Sequence, residues 1–149
     1  MKTLFAAALA GAFLMGASAQ AAPQYFRSDL TKQAGLPFSD AVQVGDMLYL
    51  SGQIGAPLGT RKVVEGGAEA EARQVMSNIG EILKARGLGY DDIVKCTVMM
   101  GDMSKWADFN KVYVAYFKPD RLPARSAFGA SGLAMGASLE VECWAAVRK

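Results

Sequence analysis

In the segment SLEVECWAAV, residues 138–147, Leu139, Val141, Cys143, Ala145 and Val147 alternate with Glu140 and Glu142. The period of a strand puts the apolar set on one face and both carboxylates on the other. Arg125 opens a second strand-like run, 124–129, and a glycine-rich loop joins the two, so Arg125 is the nearest partner by topology. One reading is an ion pair that fixes register. The other is chemical. A guanidinium fork fixes a substrate carboxylate through two parallel hydrogen bonds. A glutamate close by can hold and polarise a water as general base.

Composition narrows what else these groups could be doing. The 149 residues contain no histidine, which removes Ser-His-Asp and Cys-His systems and every His-containing zinc site. Acid–base work falls to Asp, Glu, Lys, Tyr, a thiol, the N-terminus or water. Net charge is +2, without the basic patch that a nucleic-acid partner requires.

The first 22 residues, MKTLFAAALAGAFLMGASAQAA, have a charged start, an apolar run over 4–15 and small-residue cleavage sites after Ala19 or Ala21. That pattern predicts a secretory signal peptide over 1–21 and a periplasmic or secreted domain over 22–149. No second run is long enough to span a bilayer, so no membrane role is expected after cleavage. About 130 residues remain, enough for one domain with one core.

Several elements must position the candidate groups. Residues 25–30 read as a short strand and 31–39 as a loop. AVQV and MLYLS flank Gly45-Asp46 and predict a β-hairpin, with Ser51-Gly52-Gln53-Ile54-Gly55 ending its second strand. The glycines there permit close backbone approach, to a ligand or another chain, or make a simple turn. Over 68–86, Ala72, Val75, Met76, Ile79, Ile82 and Leu83 recur at helical spacing, with Glu69, Glu71, Arg73, Lys84 and Arg86 in the polar remainder and Gly87 as the stop. A strand over 93–100 and a helix over 104–117 follow. Trp106, Phe109, Tyr113 and Tyr116 in that helix read as core rather than as a base-stacking platform. The order β-ββ-α-β-α-ββ predicts an α+β layer.

Other constellations carry less. Residues 129–136 fit neither G-x-G-x-x-G nor a Walker pattern and read as a mobile loop over the site. Asp91-Asp92 reads as a turn, since the oxygen-ligand spacing of a metal site is missing. Cys96 and Cys143 read first as inert core thiols and second as a cross-strand disulfide.

Three segments in order, FSDAVQVGDMLYLSGQIG, DDIVKCTVMMGDMSKWADFNKVYVAYF and PARS followed by the E-x-E strand, resemble the Rid family, the YjgF-type imine deaminases. The resemblance spans about residues 36–147. It implies a chorismate-mutase-like α+β fold, a mainly antiparallel mixed sheet with two helices on one face, assembled as a trimer with clefts between subunits. It implies hydrolysis of 2-imino or enamine acids to 2-keto acids and ammonia, of the 2-iminobutanoate/2-iminopropanoate deaminase type, with no metal or organic cofactor. By the same resemblance Arg125 binds the substrate carboxylate, Glu140 positions water, and Asn110, Ser51 and Gly52 line the site. Phe38 stands where RidA proteins have a tyrosine, and Ala127 where many have cysteine or another residue. A non-catalytic module binding a small carboxylate or keto acid is the alternative use of such a cleft. Ribonuclease activity, a name also attached to the family, is the weakest reading given the charge and the missing histidine.

Overall fold

The computed structural model describes residues 22–148; the expected signal peptide lies outside them. Seven strands form one sheet: β1 (Gln24–Phe26), β2 (Ala41–Val44), β3 (Met47–Leu50), β4 (Gln53–Ile54), β5 (Ile93–Met100), β6 (Ala124–Gly129) and β7 (Leu139–Ala146). Their order is β1-β2-β3-β7-β5-β6, with β4 also pairing β7. Only β5 and β6 run parallel. Among the described residues three α-helices accompany the sheet: α1 (Asp29–Gln33), α2 (Gly67–Lys84) and α3 (Trp106–Tyr113).

The core is the apolar face of the sheet covered by α2 and α3. All six periodic residues of α2, from Ala72 to Leu83, are buried there. They meet Val98, Met100, Leu139 and Val141 from the strands and Phe109, Val112 and Tyr113 from α3. Each fully buried Val, Leu, Ile or Met side chain contributes roughly 1.5–3 kcal/mol, so this layer fixes the sheet.

Four expectations change. First, β6 and β7, which the glycine-rich loop joins, are not neighbours in the sheet. A parallel pair needs a long crossover, and α3 supplies it from β5 to β6. The chain then returns past β5 to reach β7, so consecutive strands lie two places apart. Second, part of the expected 31–39 loop belongs to α1. Ser28 caps it by accepting from the Thr31 amide, and buried Asp40 accepts from Ser28 N–H and the Thr31 hydroxyl. One helical turn shows no apolar period, and tertiary bonds make it. Third, α3 is shorter than expected, with a 3-10 turn at each end. Fourth, Cys96 and Cys143 are not free thiols. They face each other across β5 and β7, 4.2 Å between Cα atoms, and form a disulfide.

Glu71 also leaves the polar face expected of it. It is buried, and its carboxylate accepts from Ser138 N–H at 2.8 Å and Ser138 Oγ at 2.6 Å. This clamp ties α2 to the residue before β7. Gly55 has no side chain because Glu71 occupies the space: a Cβ there would lie 2.5 Å from Glu71 Cγ and 2.9 Å from its Cα.

Candidate functional site

Arg125 lies on edge strand β6, level with Cys96 in the parallel register. Paired residues share a face, so Arg125 points to the helix side, where α3 receives it. Its guanidinium lies 4.6 Å from the Trp106 ring centroid and 4.8 Å from that of Tyr113. Its Nη1 donates to Asn110 Oδ1 at 2.8 Å. Trp106, Asn110 and Tyr113 are spaced four and three residues apart and so stand on one face of the helix. Burial pushes the Tyr113 phenol up to about 12, against the pull of Arg125. It therefore stays neutral and offers the cation a ring face. No carboxylate among the described residues pairs with Arg125. The fork keeps donors for a ligand.

Glu140 lies on β7 opposite Met99 and Ile54, on the face away from the helices. Its carboxylate rests on the backbone of Gly52: a Cβ at residue 52 would fall 1.9 Å from Glu140 Oε1. That close approach is why glycine follows Ser51. The group is half-buried, and among the described residues no donor or cation pairs with it. Desolvation, reinforced by Glu142, holds its pKa above the ordinary glutamate value. Glu142 accepts from Trp144 Nε1 at 2.9 Å. An unpaired, partly desolvated carboxylate in a cleft has the character of a general base.

A cavity of about 170 Å³ opens beside Glu140, and Phe38 and Gly52 line it with Ala134 and Met135. The glycine-rich loop therefore does reach the cleft, with Met135 at a left-handed φ of 58°. Ser51 does not line the cavity; its hydroxyl donates to Ser39 O at 2.6 Å and its amide to Asp40 O, bracing the backbone beneath Gly52.

The expected residues thus fall into two sets. Arg125 and Asn110 form one, on the helix side of the sheet edge. Glu140, Gly52 and Phe38 form the other, with Ser51 supporting it. Strand β5 intervenes, so Arg125 and Glu140 are separated by two strand spacings, roughly 10 Å, and by three positions, another ~10 Å, along the strands. They also point to opposite faces. The Arg125–Glu pair expected from the sequence does not form within the chain. The ring cradle under Arg125 went unread, because its aromatics at helical spacing are indistinguishable from core until β6 is placed.

The description Endoribonuclease L-PSP belongs to a family model that matches residues 30–147. The chain is a member of this family, which is the Rid family. Over 106 residues it is 42% identical to the 2-iminobutanoate/2-iminopropanoate deaminase of Mus musculus, covering 71% of this chain and 78% of that one. The protein of the same name from Homo sapiens is 41% identical over 106 residues, covering 71% and 77%. Among solved structures, RidA from an Antarctic Psychrobacter superposes with a TM-score of 0.70 at 37% identity, covering 74% of this chain and 89% of that one. The Escherichia coli YjgF product gives 0.69 at 34%, covering 76% and 90%. The Rid fold of the chain, a mixed sheet with helices on one face, is that of these relatives.

Proposed function

We propose that this Rid protein hydrolyses 2-imino or enamine acids to 2-keto acids and ammonia, at sites completed by a second copy of the chain. One observation carries the reading. Among the described residues Arg125 and Glu140 each lack an ion partner, and the fold holds them too far apart to neutralise one another. A structural ion pair would have closed; two groups kept open serve a ligand. The deaminase names of relatives at 41–42% identity support the chemistry.

In this reading Arg125 of one copy grips the substrate carboxylate, oriented by Asn110 and held on the rings of Trp106 and Tyr113. Glu140 of the next copy holds a water against the imine carbon. Water adds to C=N as Glu140 takes its proton, giving a carbinolamine. The proton passes to nitrogen; the hydroxyl then gives its own proton to nitrogen through Glu140 as C=O forms and C–N breaks, and ammonia leaves a 2-keto acid. Imine hydrolysis is intrinsically fast, so positioning two reactants suffices. The exposed aromatics Tyr49, Phe128 and Trp144 stand on the open face of the sheet and suit burial against another copy in a homotrimer.

Export completes the proposal. The leader at 1–21 addresses the chain to the periplasm or outside, and the Cys96–Cys143 disulfide suits an oxidising compartment. Protein recovered there should begin at Gln20 or Ala22.

The test is hydrolysis of freshly generated 2-iminopropionate by the mature protein. Accelerated ammonia release supports the deaminase. Keto-acid binding without acceleration would make the chain the non-catalytic carboxylate module instead.

A further inference from the structure

The cavity beside Glu140 is larger and more apolar than the smallest imino acids need. Its walls include Leu36, Phe38, Ile54, Leu58 and Met135. Four side chains with polar donors also line it, and each donates to an acceptor within the chain. Thr31 donates to Asp40, Gln53 to Ser51 O at 3.1 Å, Thr60 to Pro57 O at 2.8 Å and Asn78 to Ala56 O at 2.8 Å. The Asp40 carboxylate is likewise taken up by Ser28 and Thr31. A polar substituent entering here would compete with these internal bonds, whereas an apolar one leaves them intact.

We propose that this cavity is the side-chain subsite, and that it selects 2-imino and 2-keto acids bearing a branched aliphatic or aromatic group. The inference rests on the reading of the cleft just given and adds its substrate class. An apolar cavity of about 150 Å³ accepts a benzene-sized guest, and this one measures about 170 Å³. A methyl group would leave most of it empty. With the substrate carboxylate on Arg125 of the neighbouring copy and the imine carbon at Glu140, the side chain is the part left to enter. Phe38 lines the cavity and is exposed, so it presents carbon to an entering group.

Calorimetric binding of 2-keto acids to the full mature protein tests this without requiring turnover. 4-Methyl-2-oxopentanoate should bind at least about tenfold more tightly than pyruvate, the scale on which apolar pockets discriminate added methylenes. Phe38→Ala should shrink that ratio at least about threefold, by weakening 4-methyl-2-oxopentanoate more than pyruvate. Equal or tighter pyruvate binding, or an unchanged ratio in the variant, overturns the subsite. If pyruvate wins while 2-iminopropionate is turned over, the subsite alone falls. Binding of neither acid would overturn the carboxylate reading as well.

Discussion

Substituting Gly52 by alanine separates the geometry of Glu140 from the stability of the fold. The added Cβ would lie 1.9 Å from Glu140 Oε1 and 2.9 Å from Cδ, closer than the 3.0 Å that real Cβ contacts respect. The backbone at residue 52 is not left-handed, and the clashing atoms are the free end of a flexible side chain. Folding should therefore tolerate the change: a compatible Gly→Ala gains about 0.4–1 kcal/mol through the unfolded chain, offsetting a forced rotamer of similar cost. The carboxylate, however, must move by at least about 1 Å, and a displacement of that size costs on the order of 100-fold in rate. Imine hydrolysis should fall by about that factor while the melting temperature shifts by only a few degrees. Carboxylate binding should survive, since Arg125 is untouched. Full activity in Gly52→Ala would refute the placement of the water on Glu140; a collapse of the melting temperature would refute the claim that only a side-chain end is displaced.

Trp106→Leu keeps an apolar cover but removes one ring from beneath Arg125. A cation–π contact is worth about 0.5–2 kcal/mol, so KM and inhibitor Kd should rise about two- to thirtyfold with kcat nearly unchanged. The pH–rate profile should lose activity on the acid side through the raised pKa of Glu140, above the ordinary glutamate range, and Glu140→Gln should remove turnover while carboxylate binding persists. Because that pKa is higher folded than unfolded, ionisation opposes folding: the cost is absent below the unfolded pKa and complete above the folded one. Glu140→Gln should thus be more stable than the parent at neutral pH and equal to it in acid, as thermal melts across pH would show. Replacing both Cys96 and Cys143 by alanine opens a loop spanning 47 residues, and denaturant unfolding should report a loss of about 4 kcal/mol on the chain-entropy account.

The α2 face, the extent of β5 and the turn at Gly45-Asp46 were legible because each follows from local periodicity or turn chemistry. Of the candidate site, the sequence named Glu140, Gly52 and Phe38, which line one cavity, and Arg125, which lies against α3. Their grouping was not legible. Neighbouring runs in sequence suggest a hairpin, and only the crossover through α3 places β5 between β6 and β7 and turns Arg125 to the opposite face from Glu140. Nor could alternation show why Glu71 is buried, since its partner Ser138 lies 67 residues away. α1 likewise depends on Asp40, which reaches it from beyond the following loop. What local patterns miss here is in each case a long-range bond.

The central claim, that Arg125 and Glu140 act together from different copies, is tested most directly by subunit complementation. Arg125→Lys and Glu140→Gln variants, each inactive alone, are unfolded, mixed in equal amounts and refolded together. If every site takes its arginine from one subunit and its glutamate from the next, random assembly leaves about one site in four with both native groups. Recovery of about a quarter of the parent rate is the predicted result. A mixture as inactive as its components would contradict the shared site.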